Sequence, residues 1–159
     1  GIREITYYGF TMDNCKRPGE QLAAFSRACV EAVELLAADG AELLVLGNRE
    51  SKCFPRELLP YTERTKVGEG GIRVNFLVNY GWQWDLAQIQ KDGKPHSREV
   101  SRIDLVIRWG GMRRLSGFLP IQTVYADFYV EEKLWPDFEA QDLERALVWY
   151  GRQDVTLGG

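Results

Sequence analysis

The sequence predicts an α/β fold with a mostly parallel central sheet and helices on both of its faces. Apolar segments rich in β-branched and aromatic residues, which suit strands, alternate along the chain with segments whose apolar residues recur at helical spacing. Polar turns containing glycine separate the two kinds of segment. Such an alternation is typical of parallel strands that are joined by crossover helices.

Four strands are predicted, each ending in a polar turn. They cover residues 2–10, 41–46, 71–80 and 103–107. A long helix is predicted from Pro18 to about Asp39, because proline suits a first helical turn and Gly40 suits a terminator. Further helices are predicted over residues 55–66, 82–90, 118–128 and 140–152, and residues 91–102 are predicted to form a surface loop.

Length and composition indicate one domain over residues 1–159. A chain of 159 residues that is 45% hydrophobic is long enough for one substantial core and too short for two ordinary domains. No apolar run approaches the roughly 20 residues that a membrane span needs, and no signal peptide opens the sequence, so we expect a cytoplasmic protein. The net charge of -3 argues against a general nucleic-acid binder.

The cysteine and histidine content excludes several kinds of site. Cys15, Cys29 and Cys53 are widely spaced and odd in number, so we expect reduced thiols rather than a zinc site or a disulfide framework. His96 is the only histidine and lies in the predicted surface loop. A Ser-His-Asp or Cys-His nucleophile therefore has little support.

Polar residues follow each of the four predicted strands. These clusters are residues 11–17, 47–49, 79–81 and 108–111. Ligands of parallel α/β sheets gather outside the carboxyl ends of the strands. We therefore expect the four clusters to share one edge of the sheet.

The fourth cluster carries an unusual concentration of positive charge. Arg108, Arg113 and Arg114 surround a Gly-Gly turn, and Ser116 follows at a predicted helix start. Guanidinium groups beside a helix N-terminus suit an anion, and a diphosphate offers enough oxygens for two or three planar donors. The alternative is a solvated basic loop with Trp109 packed on the end of the sheet.

The same region resembles the cis-prenyltransferases, the undecaprenyl diphosphate synthase family. The matching text is DLVIRWGGMRRLSGFLPIQTVYADFY followed by LWPDF. Within this region the sequence departs from the family pattern at four places. Met112 stands for a glutamate, Gly117 for an asparagine, Ile121 for a tryptophan and Asp127 for a glutamate. The resemblance implies the fold of that family and a prenyl transfer reaction.

Three earlier segments also resemble the family, so the resemblance extends to the start of the chain. GIREITYYGFTMDNCKRP, VLGNRESKCFPREL and GGIRVNFLVNYGWQWDL are each similar to a strand and turn of the family. Family members begin with a further strand, loop and helix whose Asp-Gly-Asn motif holds magnesium, and the sequence starts after that unit. We expect that the unit was lost or left out, or that another polypeptide supplies it.

The resemblance implies a role for individual residues. Arg108, Arg114 and Ser116 stand where the family holds the diphosphate of isopentenyl diphosphate. Asp127 stands where an acidic residue helps to coordinate Mg²⁺, often from the partner subunit. The alternative for Asp127 is a carboxylate that faces solvent on its helix.

The resemblance also implies a catalytic turn after the first strand. Asn14 stands at the family asparagine next to the reacting carbons, and Arg17 stands at its basic neighbour. Thr11 replaces a serine and keeps a hydroxyl that can bind substrate, whereas Cys15 replaces a tryptophan. The alternative for Asn14 is an Asx turn before Pro18.

The function implied is a transferase that condenses isopentenyl diphosphate with an allylic prenyl diphosphate, using Mg²⁺. The alternative is a degenerate subunit that supports an active homologue. Either hypothesis implies a homodimer or a heterodimer with a homologue, and a lipid product would bring peripheral contact with a membrane.

Overall fold

The structure is a computed structural model that describes residues 1–68 and 71–154. The chain divides into two compact units, Gly1–Val100 and Ser101–Gly159. A single domain over residues 1–159 stays a prediction. Among the described residues, none of the helices is both long enough and apolar enough to cross a membrane.

The first unit contains a four-stranded sheet in the order β1-β4-β2-β3. Its strands are β1 (Glu4–Thr11), β2 (Glu42–Leu46), β3 (Thr65–Lys66) and β4 (Arg73–Tyr80). Strands β1 and β2 both run parallel to β4, and the short β3 runs antiparallel to β2. The predicted parallel-rich sheet is confirmed, and three of the four predicted strands belong to it.

Strand β4 lies at the centre of this sheet between β1 and β2. All of its residues from Val74 to Tyr80 are buried, which explains the almost continuous apolar run in its sequence. Helix α1 (Gly19–Ala38) buries Cys29 and Val33. The core of the unit is formed by apolar side chains from β1, α1, β2, β4 and the loop after β2, with Phe10, Val33, Leu43, Val45, Phe54, Leu58, Phe76 and Val78 among them.

The helices of the first unit follow the predictions with one exception. Helix α1 starts after Pro18 and ends before Gly40, which has a φ of 80° and so adopts the left-handed conformation that glycine favours. Helices α2 (Trp82–Ala87) and α3 (Ile89–Asp92) replace the single helix predicted over residues 82–90. The surface loop predicted over residues 91–102 begins inside α3 and contains a 3₁₀ turn at His96–Glu99. Over residues 55–66 the structure has only a 3₁₀ turn and β3, because Pro60 cannot continue an α-helix.

The second unit is built on a parallel pair of strands. β5 (Leu105–Trp109) pairs with β6 (Asp127–Glu131), and the register sets Leu105 beside Asp127 and Trp109 beside Glu131. A 3₁₀ turn at Trp135–Asp137 precedes helix α4 (Ala140–Tyr150), which was predicted.

The helix predicted over residues 118–128 is wrong. This region forms successive turns and then enters β6. Leu119 has a φ of 36°, and Pro120 follows it without an N-H group, so an α-helix cannot pass through this point. The strand predicted at residues 103–107 therefore pairs with a strand that the sequence analysis assigned as helix.

Candidate functional site

A loop of residues 108–119, here called the arginine loop, carries the cationic site of the second unit. It leaves β5 through Gly110 and Gly111, whose φ angles of 82° and 69° suit glycine. Their N-H groups donate to the carbonyls of Lys133 (2.8 Å) and Glu131 (3.1 Å), which anchor the loop to the end of β6. The start of the loop is therefore fixed by backbone bonds.

Two guanidinium groups of this loop converge on one neutral side chain. Nη2 of Arg114 lies 3.0 Å from the Met112 sulfur, and Nη2 of Arg108 lies 3.8 Å from it. A thioether sulfur is a weak acceptor and carries no charge. Met112 thus holds the two arginines near each other without neutralising either of them.

The third arginine behaves differently. Arg113 bonds Glu132 at 3.3 Å on the exposed surface. Nε of Arg108, in contrast, is buried and has no hydrogen-bond partner in the described part of the chain. A buried donor without a partner costs about 1–3 kcal/mol, which an anion bound here would offset. The geometry therefore selects Arg108 and Arg114 as the groups that suit a multi-oxygen anion.

Ser116 lies farther along the arginine loop. It is exposed, with a φ of 51°, and Gly117 follows with a φ of 77°. No α-helix starts at this position within the described residues, so the predicted helix N-terminus does not contribute to the anion site. The cationic character of the loop therefore comes from its guanidinium groups.

Trp109 supports the base of the arginine loop. Its ring meets the rings of Trp135 and Phe138 edge to face, with centroids 5.4 Å away in both cases. Such aromatic contacts add about 0.5–1.5 kcal/mol each beyond simple burial. Packing of Trp109 and an anion site are therefore compatible, although the sequence analysis treated them as alternatives.

Asp127 is offset from Arg108 along the paired strands of its own chain. It is the first residue of β6, paired with Leu105, whereas Arg108 is paired with Val130. Three residues along a strand correspond to roughly 10 Å. The prediction that Asp127 lies on a helix is wrong, and its N-H donates to the Asp104 carbonyl at 2.9 Å.

The turn after β1 holds the residues predicted to be catalytic. Asn14 Oδ1 accepts hydrogen bonds from the Thr11 N-H (2.8 Å) and hydroxyl (3.1 Å), and the Asn14 N-H donates to the Thr11 hydroxyl at 3.3 Å. Because the Thr11 N-H can only donate, the Asn14 side-chain atom that it contacts is the amide oxygen. The Asn14 amide nitrogen makes no hydrogen bond within residues 1–68 and 71–154. The local turn and a free donor thus coexist in one side chain.

Arg17 closes the same turn. Its N-H donates to the Asn14 carbonyl at 3.0 Å, and its exposed guanidinium lies 5.9 Å above the Phe25 ring. A cation over an aromatic face is attracted by the ring quadrupole. Phe25 therefore orients Arg17 and leaves the charge accessible.

Asn79, at the end of β4, connects three turns of the first unit. It is fully buried and has a φ of 52°, which asparagine tolerates better than most residues. Its Nδ2 donates to the Asn48 carbonyl at 3.0 Å, and its Oδ1 lies 3.2 Å from the Cys15 sulfur. The sequence analysis placed Asn79 in a rim cluster but missed this linking role.

The three polar clusters of the first unit do lie at the carboxyl ends of its strands. Thr11 ends β1, Leu46 ends β2 and Tyr80 ends β4, and all three strands are parallel. The fourth cluster ends β5, whose partner is β6. A rim shared by all four clusters stays a prediction.

Cys15 and Cys53 form a disulfide, with Cα atoms 6.0 Å apart. The prediction of three reduced thiols is therefore wrong for this pair. Only Cys29 is a free cysteine among the described residues, and burial raises the pKa of its thiol to about 11. The sequence separation of 38 hides the pairing, which depends on β1 and β2 ending at the same edge of the sheet.

A buried polar pair lies behind the turn after β4. The Tyr80 hydroxyl donates to Asp85 Oδ2 at 2.7 Å, and the Ser97 N-H donates to Asp85 Oδ1 at 2.8 Å. Burial raises the pKa of Tyr80, and its hydrogen bond to Asp85 raises it further. The neutral phenol is therefore the form that the fold requires.

The fold and the arginine loop define a class: an α/β protein with parallel strands and a cationic loop suited to a diphosphate. A family sequence model described as putative undecaprenyl diphosphate synthase matches residues 1–158. The chain belongs to this family, the cis-prenyltransferases.

Curated relatives cover the chain throughout. The farnesyl-diphosphate-specific ditrans,polycis-undecaprenyl-diphosphate synthase of Escherichia coli K12 is 30% identical over 185 aligned positions, which cover 100% of this chain and 73% of the relative. The geranylgeranyl-diphosphate-specific tritrans,polycis-undecaprenyl-diphosphate synthase of Aeropyrum pernix is 34% identical. That alignment covers 99% of this chain and 77% of the relative.

Solved structures share the fold. A probable undecaprenyl diphosphate synthase from Campylobacter jejuni aligns with a TM-score of 0.75 at 20% identity, covering 98% of this chain and 83% of the other. Lavandulyl diphosphate synthase from Lavandula x intermedia aligns with a TM-score of 0.78 at 19% identity. The alignment covers 99% of this chain and 80% of the other. The predicted family and α/β fold are confirmed.

Proposed function

We propose that this chain is a prenyl diphosphate synthase that condenses isopentenyl diphosphate with an allylic diphosphate. The observation that carries the proposal is the pair formed by Arg108 and Arg114, which converge on the uncharged Met112 while Nε of Arg108 has no partner in the described chain. Relatives of at least 30% identity are diphosphate synthases.

In this proposal the arginine loop holds the diphosphate of isopentenyl diphosphate. The planar guanidinium groups of Arg108 and Arg114 bind phosphate oxygens, and the Ser116 hydroxyl contacts the same group. Arg113 has a different role, since it is paired with Glu132. Binding at this loop orients the homoallylic substrate.

The turn after β1 acts on the reacting part of the substrates. The Asn14 amide nitrogen is the donor that the capping interaction with Thr11 leaves unused, and Arg17 supplies a positive charge from the same turn. Thr11 fixes the orientation of Asn14, and its hydroxyl also contacts substrate. Rigid positioning of such groups lowers the entropy cost of the reaction.

The reaction that these groups serve is an electrophilic chain extension. The allylic C-O bond breaks and diphosphate leaves with the bonding electrons, while the double bond of isopentenyl diphosphate attacks the allylic carbon. Loss of a proton then restores a double bond, so the product is one isoprene unit longer. The arginine loop retains the homoallylic diphosphate throughout.

Magnesium is the cofactor that this proposal includes, with Asp127 as one ligand. Among the described residues no group of three His, Cys, Asp or Glu side chains can hold a metal ion. A single carboxylate still fits Mg²⁺, which usually keeps several waters and takes phosphate oxygens. When bound, Mg²⁺ would offset diphosphate charge. The other oxygens would have to come from substrate and from another residue.

We further propose that Asp127 serves the site of a second subunit. Roughly 10 Å of paired strand separates Asp127 from Arg108 of the same chain. A diphosphate held by Arg108 and Arg114 of one chain is therefore better served by a carboxylate from a homologous partner. A dimer, with a second copy or with a homologue, and a cytoplasmic location complete this proposal.

The test is prenyl transfer with labelled isopentenyl diphosphate, Mg²⁺, and farnesyl or geranylgeranyl diphosphate. The chain is assayed alone and together with a full-length family member. We expect Arg114→Ala to lower kcat/KM for isopentenyl diphosphate roughly 10- to 100-fold, because a charged hydrogen bond contributes about 1.5–3 kcal/mol. The matched control is Arg113→Ala, which removes an exposed arginine of the same loop and should change kcat/KM less than threefold.

Two results would overturn this function. Equal losses in the two variants would show that the loop acts only through its general charge. Failure of the folded chain to form product in any combination, while it raises the activity of the homologue, would favour the degenerate subunit, to which Met112 and Cys15 also point as departures from the family pattern.

A further inference from the structure

Cys15 and Cys53 lie on two different turns at the same end of the four-stranded sheet. Cys15 belongs to the 3₁₀ turn Met12–Lys16 that follows β1, and Cys53 belongs to the loop that follows β2. Their Cα distance of 6.0 Å is within the range of ordinary disulfides. The bond therefore ties the turn that carries Asn14 to a neighbouring loop.

Asn79 allows the same geometry to accommodate the reduced state. Its Oδ1 lies 3.2 Å from the Cys15 sulfur, which is hydrogen-bond distance for a thiol donor. A disulfide sulfur has no proton to donate, so this hydrogen bond exists only when Cys15 is reduced. In addition to its Thr11–Asn14 hydrogen bonds, the turn is thus held by a covalent bond in one state and by a weak hydrogen bond in the other.

The two sulfurs differ in access. Cys15 is half-buried, whereas Cys53 is buried. A small thiolate can therefore attack the Cys15 sulfur and release Cys53 as the leaving thiolate. Cys29 does not compete, because it is buried on α1 and its pKa is raised to about 11 by that burial. The exchange is confined to one pair.

We propose that Cys15 and Cys53 form a reversible disulfide that sets the order of the turn Met12–Lys16, and that through this turn the redox state controls prenyl transfer. The control of transfer rests on the proposed function, whereas the control of order does not. Reduction uses two molecules of a monothiol or one molecule of a dithiol. It yields two protein thiols and one small-molecule disulfide. The reverse reaction uses a small-molecule disulfide as the oxidant.

The first measurement follows the thiols themselves. The folded protein is equilibrated in buffers with different ratios of reduced to oxidised glutathione and then labelled with a maleimide. Mass spectrometry measures which cysteines carry the label. We expect Cys15 and Cys53 to be labelled in parallel as one two-electron couple, and Cys29 only after unfolding. Labelling of Cys15 that does not depend on the buffer would overturn the proposal.

The second measurement tests whether the redox state changes the order of the turn Met12–Lys16. Hydrogen exchange of residues 12–17 is compared in the oxidised and the reduced protein, together with tryptic cleavage after the exposed Lys16. We expect both to be faster in the reduced protein. Cys15→Ser and Cys53→Ser should behave like the reduced protein and should no longer respond to reductant, and Cys29→Ala should respond like the wild type. Equal exchange in both redox states would refute the proposal.

Activity provides a third and separable readout. A turn that is already ordered does not have to be ordered on binding, so the oxidised enzyme should have a kcat/KM about three- to tenfold higher than the reduced enzyme. Equal kcat/KM in the two states of an active enzyme would refute redox control of transfer. If no state is active, the proposed function fails, and the exchange and labelling results still decide whether the pair orders the turn.

Discussion

The sulfur of Met112 lies 3.0 Å from Nη2 of Arg114, and the same sulfur lies 3.8 Å from Nη2 of Arg108. A neutral group therefore occupies the point where two cations meet. The family pattern has glutamate at this position, and a carboxylate there would form charge-assisted bonds with both guanidinium groups. Met112 leaves those bonds to a bound anion.

The charge at residue 112 should therefore control anion affinity. We expect Met112→Glu to weaken the binding of inorganic diphosphate about fivefold or more at low salt, since an ion pair of about 1 kcal/mol would have to be displaced. Isothermal titration calorimetry measures the Kd. Met112→Leu keeps the side chain neutral and serves as the control, and tighter binding by Met112→Glu would contradict the argument.

The position of Asp127 predicts complementation between subunits. Asp127→Asn and Arg114→Ala should each lose most activity as homodimers. Random mixing makes half of the dimers mixed, and one of the two sites in each mixed dimer is intact, so activity should recover to about one quarter of wild type. No recovery in a mixture shown to contain mixed dimers would place Asp127 in the site of its own chain or outside any site.

Gly47 should be intolerant of a side chain. A Cβ atom there would overlap the Val78 carbonyl, because the ends of β2 and β4 approach closely. We expect Gly47→Ala to lower the free energy of unfolding by about 2–4 kcal/mol, as measured by urea denaturation. Gly19→Ala is the matched control, since a Cβ at Gly19 would meet nothing within 4 Å. Similar midpoints for both variants would contradict the prediction.

Asp142 should make the second unit sensitive to acid. Burial raises the pKa of Asp142, but the Glu139 N-H, Lys133 and Arg145 outweigh burial and lower the pKa below its ordinary value of 3.8. Because the folded pKa is the lower one, the carboxylate stabilises the fold above pH 3.8, and this contribution is lost as the pH falls through the folded value.

Asp142→Asn tests this contribution. The variant should have a lower urea midpoint than wild type at pH 7, and the difference should shrink as the pH is lowered below 4. Circular dichroism follows the helix signal in both proteins. Asp137→Asn changes an exposed carboxylate and should leave the midpoint unchanged at both pH values. A constant difference between Asp142→Asn and wild type across this range would be inconsistent with the linkage.

Sequence patterns predicted the first unit well because its elements are locally encoded. The run from Val74 to Tyr80 is apolar because a central strand is buried on both faces, and Pro18 and Gly40 mark the limits of α1. The strand β6 was missed because Val124, Tyr125 and Phe128 also fit a helical spacing. The left-handed conformation of Leu119 decides against the helix, and it is a property of the folded loop.

The site was predicted unevenly for a similar reason. The arginines lie within a short stretch of sequence, so their clustering could be predicted. The contact of Arg108 and Arg114 with Met112, in contrast, depends on side-chain directions in a folded turn. The Cys15–Cys53 bond depends on two strands ending at one edge, which no local pattern encodes.

When Cys15 is reduced, Asn79 joins turns that follow three different strands through a single amide group. A force that displaces the turn after β1 is therefore transmitted to the end of β4 and from there to the turn after β2. When a substrate binds, the ends of these three strands should therefore move together, and a displacement of Asn14 should also displace Asn48.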